Sequence, residues 1–368
     1  MIVFTVIFSP HRIWSKPSLK AQRPLQVASW PAPCFGDNRV IRLLCDGISN
    51  AGAEIIDVGD PCDIRPEAVD IFQIHWPEQL FWGGLGPRAV AMKSKRIVTA
   101  IKQLKHRGVR VVWMVHNLRP HEMTIWQSVV WSYYQRQLCR LADGFLTLSP
   151  STVSLVRAAF PRMARIPGQF VWHPAYTDVT VADSIREQAR AALQFDRSTH
   201  VFACIGEIRP HKGIDQLVRA FRRLPNQDVG LLVAGAPLDG EIRRIILAEA
   251  GSDPRIRLDF RRLEESEFRA YTAASDGIVV PFRRYLHSGS LVYALSGQRT
   301  VLTPDAPYAR DLSTELGPEW VHLYTPPLTP EIMARVDRAR PLMPCPIQER
   351  LSYVEGGAAM VRFYRSLG

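Results

Sequence analysis

Val201-Phe202-Ala203-Cys204-Ile205-Gly206-Glu207-Ile208-Arg209-Pro210-His211-Lys212-Gly213 is the stretch from which the fold can be read. Five apolar or small residues make a buried strand with no polar alternation, as in a sheet covered on both faces. The chain then turns at Gly206 and again at Gly213, with Arg209 and Lys212 between them. An amphipathic helix follows over Ile214–Leu224. A strand that ends in a glycine turn, two cations and a helix start is the phosphate-facing edge of a parallel α/β sheet.

Working outward, the same rhythm continues on both sides. Downstream strands are expected at Val229–Ala234, Ile256–Phe260, Gly277–Val280 and Thr300–Leu302. Upstream, strands are expected at Leu25–Trp30, Glu54–Val58, Ile71–His75, Val109–Val115 and Gly144–Leu148, with helices at Asn38–Gly52, Arg88–Lys105 and Glu122–Ala142. Two βαβα series in one chain imply an α/β protein with two doubly wound Rossmann-like domains facing an interdomain cleft. The expected layout is an N-terminal extension (1–23), an acceptor-side domain (24–175), a polar hinge (176–198), a nucleotide-side domain (199–347) and a C-terminal helix (348–368) packing back toward the first domain.

Composition narrows the function. The chain has 368 residues and a formal charge of +11, with arginine far outnumbering lysine. Guanidinium groups suit phosphate because they donate paired hydrogen bonds. From Arg88 to Arg110 there are eight basic side chains and no acidic one. That surface fits an anionic membrane or a polyanionic substrate, with Phe81 and Trp82 beside it. A nucleic-acid partner is not expected, because no binding module accompanies the charge. No apolar run is long enough to span a bilayer. The six cysteines form no CxxC pair, which argues against a zinc module or a disulfide framework and points to reduced thiols. The P-loop, the GxSxG elbow, HExxH and Asp-x-Asp are missing. No metal and no cofactor is therefore expected, and protein cations and helix amides are expected to neutralise a leaving diphosphate.

Three more strand-end segments carry chemistry. Pro281-Phe282-Arg283-Arg284-Tyr285-Leu286-His287-Ser288-Gly289-Ser290 opens the helix Leu291–Ser296, and its free amides suit an anion. His75-Trp76-Pro77-Glu78 and His116-Asn117-Leu118-Arg119-Pro120-His121-Glu122 crowd two neighbouring strand ends with groups able to move a proton.

Taken together, these segments resemble the GT-B glycosyltransferases. More narrowly, they resemble the bacterial GDP-mannose-dependent β-mannosyltransferases of xanthan-type exopolysaccharide assembly (glycosyltransferase family 94) and their family-4-like relatives. Glu315-Leu316-Gly317-Pro318-Glu319-Trp320 and Leu323-Tyr324 add to the match. The resemblance implies that Gly206, Arg209 and Lys212 bind the donor diphosphate and that Ser288, Gly289 and Ser290 hold its distal phosphate. It also implies that Leu263 packs the base and that His116 stands against the donor sugar. Retaining relatives carry two glutamates eight positions apart, where this chain has Tyr285 and Tyr293, and Tyr285 is expected among the donor-binding residues. That departure fits an inverting single displacement.

Such a reaction needs one base near the acceptor hydroxyl. The candidates are Glu78, then Glu122, then Asp37, with His116 also in the catalytic set. His75, Trp76, Asn117 and His121 are expected on the acceptor side. The implied reaction moves a hexose, foremost mannose from GDP-mannose, to a polyprenyl-diphosphate-linked oligosaccharide, with the enzyme peripheral on the inner membrane face. Alternatives are a transferase using UDP-glucose, UDP-glucuronate or another sugar nucleotide, and a non-catalytic binder of sugar nucleotides or polyanions.

Overall fold

The computed structural model describes residues 23–31, 38–81, 84–120, 123–179, 182–336 and 341–368. The first unit contains β1 (Gln26–Trp30), α1 (Arg39–Asn50), β2 (Glu54–Asp57), β3 (Ile71–His75) and α2 (Pro87–His106). It continues with β4 (Arg110–Met114), α3 (Ile125–Leu141), β5 (Gly144–Thr147), α4 (Pro150–Ala159) and β6 (Gly168–Phe170). Its strands run in the order β2-β1-β3-β4-β5-β6, all parallel. The interior strands β3 and β5 are buried along their length, as expected of a parallel sheet covered on both faces.

A connecting helix, α5 (Asp183–Ala192), leads to the second unit. Here β7 (His200–Ile205), α6 (Ile214–Arg222), β8 (Val229–Ala234), α7 (Gly240–Ala250), β9 (Ile256–Asp259) and α8 (Glu265–Ala274) form one half. The other half is β10 (Gly277–Val279), α9 (Gly289–Ser296), β11 (Thr300–Pro304), α10 (Pro307–Leu316), β12 (Val321–Tyr324) and α11 (Pro330–Arg335). The order β12-β11-β10-β7-β8-β9 reverses between β7 and β10. The first sheet reverses between β1 and β3. Ligands of such sheets bind beyond the strand ends at these reversals.

Two expectations need correction. The stretch 176–198 is not a plain polar connection. It contains α5, whose Arg186 and Arg190 reach Asp276 at 2.6 and 3.2 Å and fasten it to the second unit. Arginine spacing, rather than apolar periodicity, holds this helix, so a hydrophobic reading passes over it. The expected single helix at 348–368 is divided. Residues 347–350 form α12 (Ile347–Arg350), packed near α9 and α10. After a break at Leu351, α13 (Tyr353–Ser366) lies across α1 in the first unit. There the two helices touch backbone to backbone: a Cβ on Gly357 would stand 2.0 Å from the Gly47 carbonyl. The chain passes between the units at adjacent points, where Ala175 N–H donates to the Leu351 carbonyl at 2.9 Å.

Among the described residues Cys45, Cys62, Cys139, Cys204 and Cys345 are free thiols.

Candidate functional site

The loops after β7 and β10 flank the reversal of the second sheet and pack on each other. Gly213 takes a left-handed conformation (φ 65°), and a Cβ there would meet the Pro281 carbonyl at 2.5 Å. Arg283 N–H closes the pair by donating to the His211 carbonyl at 2.9 Å. Gly206 (φ 120°) lies under Gly235, whose added Cβ would strike the Gly206 carbonyl at 2.0 Å. These glycines let two loops meet where side chains would keep them apart.

On this platform Arg209 pairs with Glu207 at 3.2 Å and is partly exposed. Lys212 is half-buried, with Nζ 5.1 Å above the Phe282 ring. Burial lowers its pKa from the usual lysine value, which favours an anionic partner over water. Ser288 caps α9, its hydroxyl accepting from Leu291 N–H at 3.4 Å, and Gly289 and Ser290 open the helix.

A cavity of about 710 Å3 begins at this helix start. Its walls bring together Leu263, Gly289, Ser290 and Tyr293 from the second unit with Asn38 and Arg39 from the first. Arg39 spans the two units. It pairs with Asp178 and, at 3.3 Å, with Glu265, and its guanidinium lies 5.0 Å over the Tyr176 ring. Tyr293 keeps a buried hydroxyl without a partner among the described residues. Tyr285, the other tyrosine where relatives carry glutamate, is not part of this lining. Its hydroxyl bonds to Thr303 at 3.1 Å, and burial pushes its pKa up to about 12.

The first unit contributes buried polar groups at the ends of β3 and β4. His75 Nδ1 lies 2.9 Å from His116 Nε2, and Gln73 Nε2 lies 3.0 Å from His75 Nε2. Trp76 has a positive φ of 36°, uncommon for a bulky residue. That turn stacks its indole on His116 with centroids 3.7 Å apart. Burial drives the His75 pKa down to about 3 and that of His116 well below its ordinary value. Burial thus favours the neutral form of both rings. His116 Nε2 faces His75 Nδ1.

Glu78 is buried, and Asn117 Nδ2 donates to its Oε1 at 2.8 Å. Burial raises its carboxyl pKa, with the Asn117 bond partly opposing the shift. Asp37, His121, Glu122 and Trp82 lie outside the described residues. Phe81 is buried at 8% exposure, packed edge-on to Trp131, so it does not form the membrane contact expected of it. Arg96 is also less free than its place in the basic run implies, since it pairs with Asp60 at 3.1 Å.

Sequence reasoning gave no role of their own to two further histidines. His173 Nδ1 lies 3.1 Å from the Pro174 carbonyl, and its Nε2 is 3.6 Å from a Cβ built on Gly289. His287 Nε2 accepts from Leu148 N–H at 3.1 Å, across the two units. Burial drives their pKa values down to about 4 and about 3. Each occurs singly in the sequence, and only the folded chain gathers them near His116. Among the described residues no cluster of His, Cys, Asp or Glu is arranged to hold a metal ion. None of the described helices is long and apolar enough to cross a membrane.

No protein-family model matches the chain. Over 257 residues it is 28% identical to the GDP-mannose:glycolipid 4-beta-D-mannosyltransferase of Xanthomonas campestris pv. campestris, covering 69% of this chain and 67% of that protein. A shorter match of 116 residues, 38% identical, links it to D-inositol 3-phosphate glycosyltransferase of Mycobacterium sp. strain KMS, covering 30% of this chain and 26% of that one. Among solved structures, sucrose-phosphate synthase from Thermosynechococcus elongatus superposes with a TM-score of 0.66 at 15% identity, over 94% of this chain and 99% of that one. Anabaena HepE in complex with UDP and glucose gives 0.62 at 12% identity, over 93% and 96%. The fold is that of the GT-B glycosyltransferases, and the chain resembles a mannosyltransferase over two thirds of its length.

Proposed function

We propose that the chain is an inverting, metal-independent glycosyltransferase. It moves mannose from GDP-mannose, with β-linkage, to a polyprenyl-diphosphate-linked oligosaccharide at the inner membrane face, in exopolysaccharide synthesis. The observation that carries the reading is the joined platform of Arg209, Lys212 and the α9 helix start. It stands at the reversal of the second sheet, beside a cavity shared with the first unit. The activity of the Xanthomonas relative, a GDP-mannose:glycolipid mannosyltransferase, supports mannose and a glycolipid acceptor.

The nucleoside occupies the cavity beside Leu263, and the unpartnered Tyr293 hydroxyl accommodates a ribose oxygen. The diphosphate meets Lys212, Arg209 and the amides of Gly289 and Ser290. A carboxylate of the first unit, Glu78, takes the acceptor hydroxyl proton. The freed oxygen attacks the anomeric carbon as the bond to the diphosphate breaks, and the added negative charge collects beside the platform. A raised Glu78 pKa suits this task, because a more basic carboxylate takes the proton more readily.

The membrane face is drawn by α2 and α3. Lys93 and Lys95 are exposed on α2 beside Met92. On α3, Ile125, Val129 and Tyr133 are 88%, 67% and 55% exposed at four-residue spacing. Exposed cations on one helix and an exposed apolar stripe on the helix packed against it suit an anionic interface.

The test is incubation with GDP-mannose, UDP-glucose and UDP-glucuronate plus a membrane extract, reading which nucleoside diphosphate is released. GDP release with mannose in the lipid fraction supports the reading. UDP release would replace the donor, and no turnover with any donor would leave a binder.

A further inference from the structure

A buried hydrogen-bond line runs from α13 to the cleft: Tyr364, Gln73, His75, His116. Gln73 and His75 are two apart on the buried strand β3 and so share one face. The four side chains range from 0 to 6% exposed, so bulk solvent hardly reaches them.

The direction of the line can be worked out from its far end. The Tyr364 hydroxyl has Gln73 Oε1 as its partner. A buried phenol that only accepted would leave its own O–H orphaned, at a cost of about 1–3 kcal/mol. A carbonyl oxygen only accepts. Tyr364 therefore donates to Gln73 Oε1, which fixes the amide orientation and turns Gln73 Nε2 toward His75. That N–H donates to His75 Nε2, leaving the His75 proton on Nδ1. His75 Nδ1–H donates to His116 Nε2, and the His116 proton is left on Nδ1.

We propose that Tyr364, Gln73 and His75 are positioning residues that hold His116 in the neutral Nδ1–H tautomer, so that it presents a hydrogen-bond donor rather than a base to a substrate oxygen. No described residue accepts from His116 Nδ1. The stacked Trp76 indole fixes the ring plane. The substrate group it suits is a hydroxyl or ester oxygen of the sugar nucleotide. This last step rests on the proposed glycosyltransferase reading; the tautomer does not.

The experiment is long-range proton–nitrogen NMR on protein labelled with 15N-histidine, with His116 assigned by its loss in His116→Gln. In the unmodified protein His116 should show a protonated Nδ1 and an unprotonated Nε2. Tyr364→Phe removes one oxygen and frees the Gln73 amide to turn over. The single His116 pattern should then become a mixture or invert. Gln73→Met is the second variant and should do the same. The proposal is overturned by an Nε2–H or doubly protonated His116 at neutral pH, or by an unchanged His116 pattern in both folded variants. In a transfer assay Tyr364→Phe should lower kcat by about tenfold, the worth of one oriented hydrogen bond, with the donor KM nearly unchanged. If no donor supports transfer by the unmodified protein, the functional reading fails while the NMR result stands on its own.

Discussion

Asn117 Nδ2 donates to Glu78 Oε1 across 2.8 Å, tying the loop after β4 to the loop after β3. The bond orients a carboxylate whose affinity for protons burial has already raised. Glu78→Gln keeps the Asn117 contact in shape but removes the base. Transfer should fall by about 10²–10⁴-fold while nucleotide binding, read by calorimetry, is retained. The acid limb of kcat/KM in the unmodified protein should lie above the ordinary glutamate range, because the working form is the carboxylate. A limb at or below that range removes Glu78 from the role.

Lys212 sits over Phe282, half-withdrawn from water, so its charge interacts strongly with an incoming anion. Lys212→Ala should reduce transfer by about 10²–10³-fold, the usual cost of one group that meets developing charge. The thermal shift given by GDP should shrink as well. Undiminished turnover would move the diphosphate elsewhere.

Acid should loosen the protein early. His75, His173 and His287 have native pKa values of about 3, 4 and 3 against an ordinary 6.5, because burial disfavours the imidazolium. His116 is shifted the same way. Below pH 6.5 the unfolded chain takes up protons that the native protein refuses, so stability falls as pH drops from there toward 3–4. Urea unfolding at a series of pH values should show this slope, and His287→Gln should flatten it. A midpoint constant between pH 7 and 5 would contradict the prediction.

The Gly47–Gly357 crossing leaves no room for a side chain. Gly357→Val should force α1 and α13 apart and cost about 1–3 kcal/mol. A lower denaturant midpoint is the readout. Gly356, one residue away and open to space, should accept Ala with little change.

Lipid contact can be separated from chemistry. Ile125→Asp with Val129→Asp, or Lys93→Glu with Lys95→Glu, should release the protein from anionic liposomes, at about 1 kcal/mol per cation removed. Hydrolysis of the donor should stay near its original rate, since these helices lie away from the cavity walls. Equal loss of both activities would remove the docking role.

Strand ends and the cation loop were legible because parallel strands bury both faces and their ligand loops follow directly. The Asp276-bound α5 was not, since its anchor is a carboxylate about ninety residues downstream. Leu263 and Ser290 proved to share a cavity, whereas Arg39 was hidden in an ordinary helix start. The polar pair in Ile71-Phe72-Gln73-Ile74-His75 was a readable signal, since Gln73 and His75 interrupt one face of a buried strand. Their partner Tyr364, 291 residues from Gln73, was beyond any local pattern.

The placement of α13 has a consequence for synthesis. The first sheet comes off the ribosome well before the helix that covers α1, and the intervening second unit is made in between. Until residues 353–366 emerge, the α1 flank offers bare apolar surface to chaperones and to other nascent chains. Completion of the first unit thus waits on a helix made after the second, and a ribosome stalled within the second unit would hold an unfinished first one.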